Sequence, residues 1–397
     1  MPHKSQNKIE KLFAQLCPNG VEFKELGGLV NILDSQRRPV TREKREIVKV
    51  PYYGANGIQS HVKDYIFDGT FLLMGEDGSV MNKDGSPVLN WVSGKIWVNN
   101  HAHILSEIKD KALLRYIYFS LQKTDVTKLV RGTPPKLNQQ SLRSIKIPLP
   151  PLVIQEEIVK ILNSFTELEA ELEAELEARK KQYEHYRSGL FVFNENVKHE
   201  ALGNIILSLK TGLNPRKNFV LNTSDAKNFY VTVREIDGLN VTFFEKTDRV
   251  NNEALRLINN RSNLEVGDVL FSGTGTIGRT ALVKEKPENW NIKEGVYVIK
   301  PNQKVVNSKF LLFFLNSVIA KKQIENKIVG SPVMSIPMAE LKKIKIPLPE
   351  ITEQERIVSI LDKFDALVND ISIGLPAELF ARRQQYEYYR GKLLTFK

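Results

Sequence analysis

Ile145-Lys146-Ile147-Pro148-Leu149-Pro150 returns as Ile344-Lys345-Ile346-Pro347-Leu348-Pro349, and each copy leads into a heptad-like run that ends in Tyr-Glu-X-Tyr-Arg. The two copies hold an offset of 199 residues through Gln155/Gln354, Glu156/Glu355, Ile158/Ile357, Leu162/Leu361 and Phe165/Phe364, then move to 203 at Tyr183/Tyr386, Tyr186/Tyr389 and Arg187/Arg390. A chain of two related halves is equipped to meet a partner at two separated places. The segments before the repeats agree far less, so the duplicated part reads as framework and the divergent part as the seat of specificity.

Downstream of Pro151 the pattern is helical. Ile158, Phe165, Leu172 and Tyr186 take one heptad position and Leu162, Leu176, Tyr183 and Leu190 the other, with Glu169 and Arg179 interrupting. A helix over about 153–190 would run roughly 55 Å. In the second copy Ile357, Leu361, Phe364, Val368, Ile371 and Leu375 keep the beat, and four extra residues then shift the register, the size of a stutter that changes winding without ending a coiled coil. Pro376 lies at that shift, two residues after Gly374, where it either kinks the helix or opens a new helical segment. The simplest burial pairs the two seams as an antiparallel hairpin with the globular parts at its ends. The rival is that each helix packs on its own globular part. The tyrosine-rich faces, Tyr183/Tyr186 and Tyr386/Tyr388/Tyr389, serve either as core or as contacts.

Upstream of each repeat the reading is mixed α/β. Tyr65-Ile66-Phe67, Thr70 to Met74 and Lys95 to Val98 look like strands, and Asp110 is expected to cap a helix over Lys111 to Phe119. The second half follows the same order: Val197-Lys198-His199-Glu200-Ala201-Leu202-Gly203 matches the opening Val21 to Gly27, Asp268 to Phe271 matches the central strand, and Asn307 precedes the helical Lys309 to Leu315. Each unit is expected to close at its Ile-Pro-Leu-Pro exit, where proline stops sheet pairing.

The 397 residues carry 57 Lys and Arg against 46 acidic residues, a formal charge of +11, and 42% hydrophobic content suits folded cores. No apolar run approaches the roughly 18 residues of a membrane span, and the N-terminus has no apolar h-region before Leu12, so a soluble, cytoplasmic protein is expected. Cys17, the one cysteine, is expected to be a plain thiol. Arg37, Arg38, Arg42, Lys44, Arg45 and Lys49 cluster in the first half and Lys210, Arg216 and Lys217 open the second, whereas Glu167 to Glu177 carries six glutamates. The basic surface therefore belongs to the globular units, and a polyanion is a plausible partner.

Gly273-Thr274-Gly275-Thr276-Ile277-Gly278 satisfies Gly-X-Gly-X-X-Gly, but the dinucleotide fingerprint requires a helix next, and Arg279-Thr280-Ala281-Leu282-Val283 has no helical stripe. There is no Gly-X-X-X-X-Gly-Lys-Ser/Thr loop, no His-Glu-X-X-His pair and no Asn/Asp-Pro-Pro-Tyr sequence; Thr133-Pro134-Pro135-Lys136 has only a superficial likeness to the last. No catalytic, cofactor-binding or metal-ligating residue is assigned.

Leu-Pro-Pro-Leu-X-X-Gln-Glu-X-Ile at 149–158, Leu-Pro-X-X-X-Glu-Gln-Glu-X-Ile at 348–357, Gly374-Leu375-Pro376-Ala377-Glu378 and Arg383 to Arg390 resemble the conserved regions of the DNA-specificity subunit of type I restriction-modification systems. Pro51 to Ile58, Asn99-Asn100-His101-Ala102 and Leu270 to Gly278 also resemble elements of that family. The resemblance covers essentially the whole chain. It implies an α/β architecture of two similar mixed α/β target recognition domains separated by two long conserved helices forming an antiparallel coiled coil, with pseudo-twofold internal symmetry. The expected segments are an N-terminal extension (1–19), recognition domain 1 (20–150), a central helical spacer (151–192), recognition domain 2 (193–349) and a C-terminal helical spacer (350–397). The extension has no matching piece in the second half.

The resemblance further implies a non-catalytic subunit whose domains each read one half of an asymmetric, split site in double-stranded DNA. The helices would set the gap and dock two copies of a modification (methyltransferase) subunit, with restriction (motor-nuclease) subunits completing the complex. S-adenosylmethionine, ATP and magnesium would then belong to those partners. Candidate DNA contacts are Arg37, Arg38, His101, Arg131, Lys136, Lys210, Arg216, Lys217, Thr274, Thr276, Arg279 and Lys327. The loops Lys128–Lys136 and Lys327–Pro332 are DNA contacts or structural turns, and His101 and His103 are recognition residues or packed histidines on one strand face. Candidates for the helix seam or subunit docking are Ile158, Leu162, Phe165, Leu172, Leu176, Tyr183, Tyr186, Ile357, Leu361, Phe364, Tyr386 and Tyr389. Two other classes stand beside this one: a DNA-modifying enzyme, which tight S-adenosylmethionine binding by the isolated chain would reveal, and a protein-only scaffold, which would lack salt-sensitive DNA binding.

Overall fold

A computed structural model describes residues 2–41, 49–216, 218–370 and 372–396, with side chains from residue 8 onward. The chain divides into two compact units, residues 1–171 with 379–397, and residues 172–378. Among the described residues no helix is long and apolar enough to cross a membrane.

In the first unit α1 (Pro2–Leu16) precedes β1 (Phe23–Glu25), and six strands then build one sheet: β2 (Val30–Ile32), β3 (Val50–Gly54), β4 (Gly57–Val62), β5 (Phe67–Gly75), β6 (Leu89–Val98) and β7 (Ala102–Glu107). Their spatial order is β2-β7-β5-β6-β3-β4, antiparallel except where β3 runs parallel to β6. The apolar run Phe71-Leu72-Leu73-Met74 makes β5 a strand buried on both faces, with Leu72 and Met74 toward the helices and Phe71 and Leu73 toward the other side. Then come α2 (Leu114–Leu121), α3 (Gln139–Arg143), β8 (Lys146–Pro148) and the 38-residue α4 (Leu152–Gly189), about 57 Å long.

The second unit repeats this order with little sequence in common. β9 (His199–Ala201), α5 (Leu202–Ile205), β10 (Ile206–Thr211) and β11 (Asn228–Val231) lead to β12 (Ile236–Asp237), β13 (Asn240–Val241), β14 (Arg249–Val250) and α6 (Asn252–Ser262). β15 (Val269–Ser272), β16 (Thr280–Leu282), β17 (Trp290–Ile292) and β18 (Val296–Pro301) follow, then α7 (Ser308–Asn316), α8 (Val318–Glu325), α9 (Met338–Leu341), β19 (Lys345–Pro347) and α10 (Ile351–Asn369); the last helix, α11 (Leu375–Leu393), belongs from Leu379 onward to the first unit. Strands pair in the orders β10-β18-β15-β16 and β17-β11-β14, with β11 parallel to β17. This is the order of the first sheet, with the long β6 replaced by two short strands: β16 pairs with the central strand, and β17 takes the parallel neighbour.

The exits do not stop pairing. β8 pairs with the opening strand β1 and β19 with β9, and each ladder runs past its first proline, because the amide of Leu149 reaches the Glu22 carbonyl (2.8 Å) and that of Leu348 the Lys198 carbonyl (2.8 Å). A two-stranded ladder has a free edge on each strand, so a proline whose missing N–H would face outward costs nothing there.

Gln155 and Gln354 explain one repeated pair. Gln155 Oε1 accepts from the Leu113 amide (3.0 Å) and its Nε2 donates to the Pro150 carbonyl (2.7 Å). Gln354 does the same with the Asn307 amide (2.8 Å) and the Pro349 carbonyl (2.9 Å). Leu113 and Asn307 are the N-cap residues of α2 and α7, so one buried side chain joins the start of each long helix to the domain helix before it. The expected Asp110 cap is not used: α2 starts at Leu114, whose amide is taken by Glu107 (2.8 Å), and Asp110 has φ 64° in the turn before it.

The helix seam is real and antiparallel. In the first unit Ile158, Leu162 and Phe165 of α4 share a core with Tyr386 and Tyr389 of α11; the Phe165 and Tyr389 rings lie 5.3 Å apart, and Arg383 pairs with Glu169 at 2.6 Å. In the second unit Leu176 and Tyr183 of α4 pack with Ile357, Leu361 and Phe364 of α10, and Tyr186 stacks on Phe364 at 5.2 Å. Leu172 joins neither core and is half-buried. The four-residue shift is not a stutter inside one helix: α10 ends at Asn369, and α11 starts at Leu375 with Pro376 in its first turn, so the proline opens a new segment. Ile371 lies outside the described residues.

The N-terminal extension has a positional counterpart after all. α1 leads into β1 as the end of α4 leads into β9, and α1 seals the first unit: Ile9 is buried, Phe13 meets Phe396 at 5.6 Å, and Glu10 pairs with Lys392 at 3.6 Å.

Candidate nucleic-acid interface

In each unit two loops distant in sequence are laced into one surface. β5 runs out through Glu76-Asp77-Gly78, and the amide of Gly78 donates to the Pro135 carbonyl (2.9 Å) while that of Leu137 donates to Glu76 (2.8 Å). In the second unit the amide of Gly275 donates to Met334 (2.9 Å) and that of Ile336 to Gly273 (2.9 Å). Each partner loop is itself a tight hairpin, closed by paired backbone bonds between Arg131 and Lys136 and between Val329 and Ser335, and each turns through a cis proline peptide, Thr133-Pro134 or Ser331-Pro332. Residues 131–136 and 329–334 are exposed, while Leu137 and Ile336 anchor them in the cores. The segments expected to touch DNA thus converge: 128–136 meets the end of the central strand in one unit, and 273–276 meets 327–336 in the other.

The Gly273–Gly278 stretch is a β-hairpin turn between β15 and β16, and this geometry rules out a dinucleotide fold there. Buried Ser272 shapes it, donating from Oγ to the Thr276 carbonyl (2.6 Å) and accepting from the Arg279 amide (2.8 Å). Gly273 lies against Tyr297 so closely that a Cβ would sit 2.2 Å from its ring, so only glycine fits. Thr276 and Arg279 are exposed and Thr274 half-buried; the Arg279 guanidinium leans on the Val233 carbonyl at 3.3 Å.

A groove of about 540 Å³ opens beside this turn. It brings the expected Arg216 and Thr274 together with Arg261 and Lys293, which sequence reasoning missed because they come from the end of α6 and the β17–β18 turn. All three cations are exposed, and among the described residues no ion pair holds them. Such a groove offers point and forked donors to phosphate oxygens. The neighbouring tip adds exposed Val333 and Met334, apolar groups of the kind that meet a thymine methyl. Lys210 does not line the groove; it is exposed on β10. Lys327 is turned inward to Glu340 (3.3 Å). Lys217, like Arg42, Lys44 and Arg45, lies outside the described residues.

Arg37, expected to read bases, is instead built into the first unit. Its guanidinium pairs with Glu76, lies 3.7 Å from Asp34, and donates to the Ala102 carbonyl (2.9 Å). His103 is fully buried beside it, with Nδ1 2.6 Å from Asp34 and Nε2 donating to the Leu137 carbonyl (2.8 Å). It is a packed histidine. Burial pushes the Asp34 carboxyl up, but the hydrogen bond and charge of His103, the Ile104 amide and Arg37 together bring it below its ordinary value. Asp34, Glu76 and His103 stand close enough to hold a metal ion, yet Arg37 and Lys136 (3.4 Å from Glu76) already neutralise them, so the arrangement is an ion network. His101 lies in the turn before β7, paired with Asp77 and half-exposed. Of the contacts expected in this unit, Arg38, Arg131, Lys136 and His101 face solvent.

The profile of the type I restriction modification DNA specificity domain matches this chain twice, over residues 18–178 and 196–380. The chain is 37% identical over 401 residues to a putative type I restriction enzyme specificity subunit of Haemophilus influenzae, covering 98% of both. It is 34% identical over 300 residues to the specificity subunit of the EcoR124I/EcoR124II type I restriction enzyme of Escherichia coli, covering 72% of each. The backbone is similar to the crystal structure of a type I restriction-modification S subunit from M. genitalium, with a TM-score of 0.59 at 16% identity over 95% of this chain and 97% of that one.

Proposed function

Because the chain belongs to the family of type I restriction-modification DNA specificity subunits, we propose that each of its two recognition domains, at about 20–150 and 193–349, reads one half of a split DNA site. The observation that carries this is the recurrence in both units of one construction: a turn at the end of the central strand laced to an exposed hairpin tip. A surface built twice from different side chains is what two different half-sites demand. The free cations Arg216, Arg261 and Lys293 serve phosphates, while Thr274, Thr276 and the tip residues lie where base edges would be met. The long helices α4, α10 and α11 fix the gap and dock two modification subunits; S-adenosylmethionine, ATP and magnesium act in those and in the motor-nuclease subunits, within the cytoplasm. Specificity-subunit identity implies a non-catalytic role for this chain.

The test is to assemble the chain with its cognate modification subunits and map methylated adenines on a DNA library of all short sequences. Arg131→Ala with Lys136→Ala should abolish discrimination at one half of a split motif, and Thr274→Val with Thr276→Val at the other. A complete assembly that binds and methylates no split site would sink the reading.

A further inference from the structure

We propose that His103 and Tyr297 are equivalent positioning residues, each a latch that holds its domain's DNA-facing tip against the sheet; this rests on the reading that the tips contact DNA. One ring is an imidazole and the other a phenol, and their equivalence is one of place. His103 stands opposite Met74 across β5 and β7, and Tyr297 opposite Phe271 across β15 and β18, each one residue short of the end of the central strand. From that slot His103 Nε2 donates to the carbonyl of Leu137 and Tyr297 Oη to the carbonyl of Ile336, both at 2.8 Å. Leu137 and Ile336 are the buried residues that end the two tips, and they lie 199 apart, the offset of the framework repeat.

Each latch also touches the strand-end turn. The Tyr297 ring fills the space that a side chain on Gly273 would need, and His103 Nδ1 lies 3.7 Å from Glu76. A single side chain therefore ties both loops of the DNA-facing surface in each domain, one through a phenol and one through an imidazole. Burial raises the Tyr297 hydroxyl above its ordinary value, so it remains a proton donor across the range in which DNA is bound.

Tyr297→Phe removes the donor and keeps the ring. Assembled with its modification subunits, this variant should lose about tenfold in discrimination at the half-site read by the second domain, the effect of leaving one buried carbonyl without its donor. The other half-site should stay within about twofold, the noise expected of an uncoupled, distant change. The amides of Val329, Ser335 and Ile336 should exchange hydrogen faster, while those of β15 and β18 keep their protection. His103→Gln should mirror the loss at the other half, and it carries the test alone if Tyr297→Phe does not assemble. Full discrimination at both halves in Tyr297→Phe, with a split site intact in the unaltered complex, overturns the latch; so does equal loss at both halves, the mark of a general structural role. If Thr274→Val with Thr276→Val is also silent, or the unaltered complex reads no split site, the DNA-reading assignment falls first and the latch with it.

Discussion

Arg37 and Arg216 carry the same guanidinium and meet opposite surroundings. Arg37 has Asp34 three residues before it and Glu76 brought against it by the sheet, whereas Arg216 stands open in a groove with two other cations. Arg37→Met should therefore act on the fold: removing one partner of a largely buried network should cost about 3 kcal/mol, read as a lower denaturant midpoint, while the recognised DNA sequence stays the same. Asp34 carries the pH dependence of the same network. Its folded pKa lies below the ordinary 3.8, so its contribution is present above that value and is lost as pH falls through the lower folded one. Thermal stability should drop on acidification below about pH 4, and Asp34→Asn should start lower at neutral pH and show a shallower acid decline. The sequence displays which residues are basic, but pairing across 39 or 69 positions is decided by sheet register. That is why the pairing of Arg37 could not be foreseen and Arg261 and Lys293 went unseen.

Among the elements, the long helix was legible because thirty-eight residues of heptad spacing leave little alternative, and α4 starts and ends within a residue of the expected span. The break after α10 was not, since a seam count cannot distinguish a register shift from a turn. Gly374 decides it: a Cβ there would lie 2.4 Å from the Ala366 carbonyl, so the chain folds back on the helix end before Pro376 begins α11. The strand order of the second domain was hidden for another reason. A strand as short as β16 or β17, three residues each, carries no periodicity of its own, and only the partner across the ladder identifies it. The repeated glutamines show what the duplicated framework preserves. Gln155→Leu should leave the Leu113 amide and the Pro150 carbonyl unpaired in a buried site and cost about 2 kcal/mol, seen as a lower melting temperature of the full chain. Gln354→Leu should repeat the effect through Asn307 and Pro349; a melting temperature unchanged in both variants would deny the latch between domain helix and spacer helix.

For the molecule as a whole, a formal charge of +11 sets a long-range attraction to polyanions, but the groove cations determine its slope. Each phosphate neutralised contributes about 0.9 to the fall of log K with log salt, so replacing Arg216, Arg261 and Lys293 together by alanine should reduce that slope by about 2 to 3 units in the assembled complex. Binding should weaken alike on all sequences, and a change of preferred motif instead would move these residues from phosphate to base contact. The closing ladders, β1 with β8 and β9 with β19, have a genetic meaning as well. In each domain the chain enters and leaves through neighbouring strands, so everything between them hangs as an insert whose two ends meet. The exit hexapeptide is identical in both halves, Ile-Lys-Ile-Pro-Leu-Pro. A gene segment encoding such an insert can be exchanged as one piece, because the frame meets both of its ends at a single ladder.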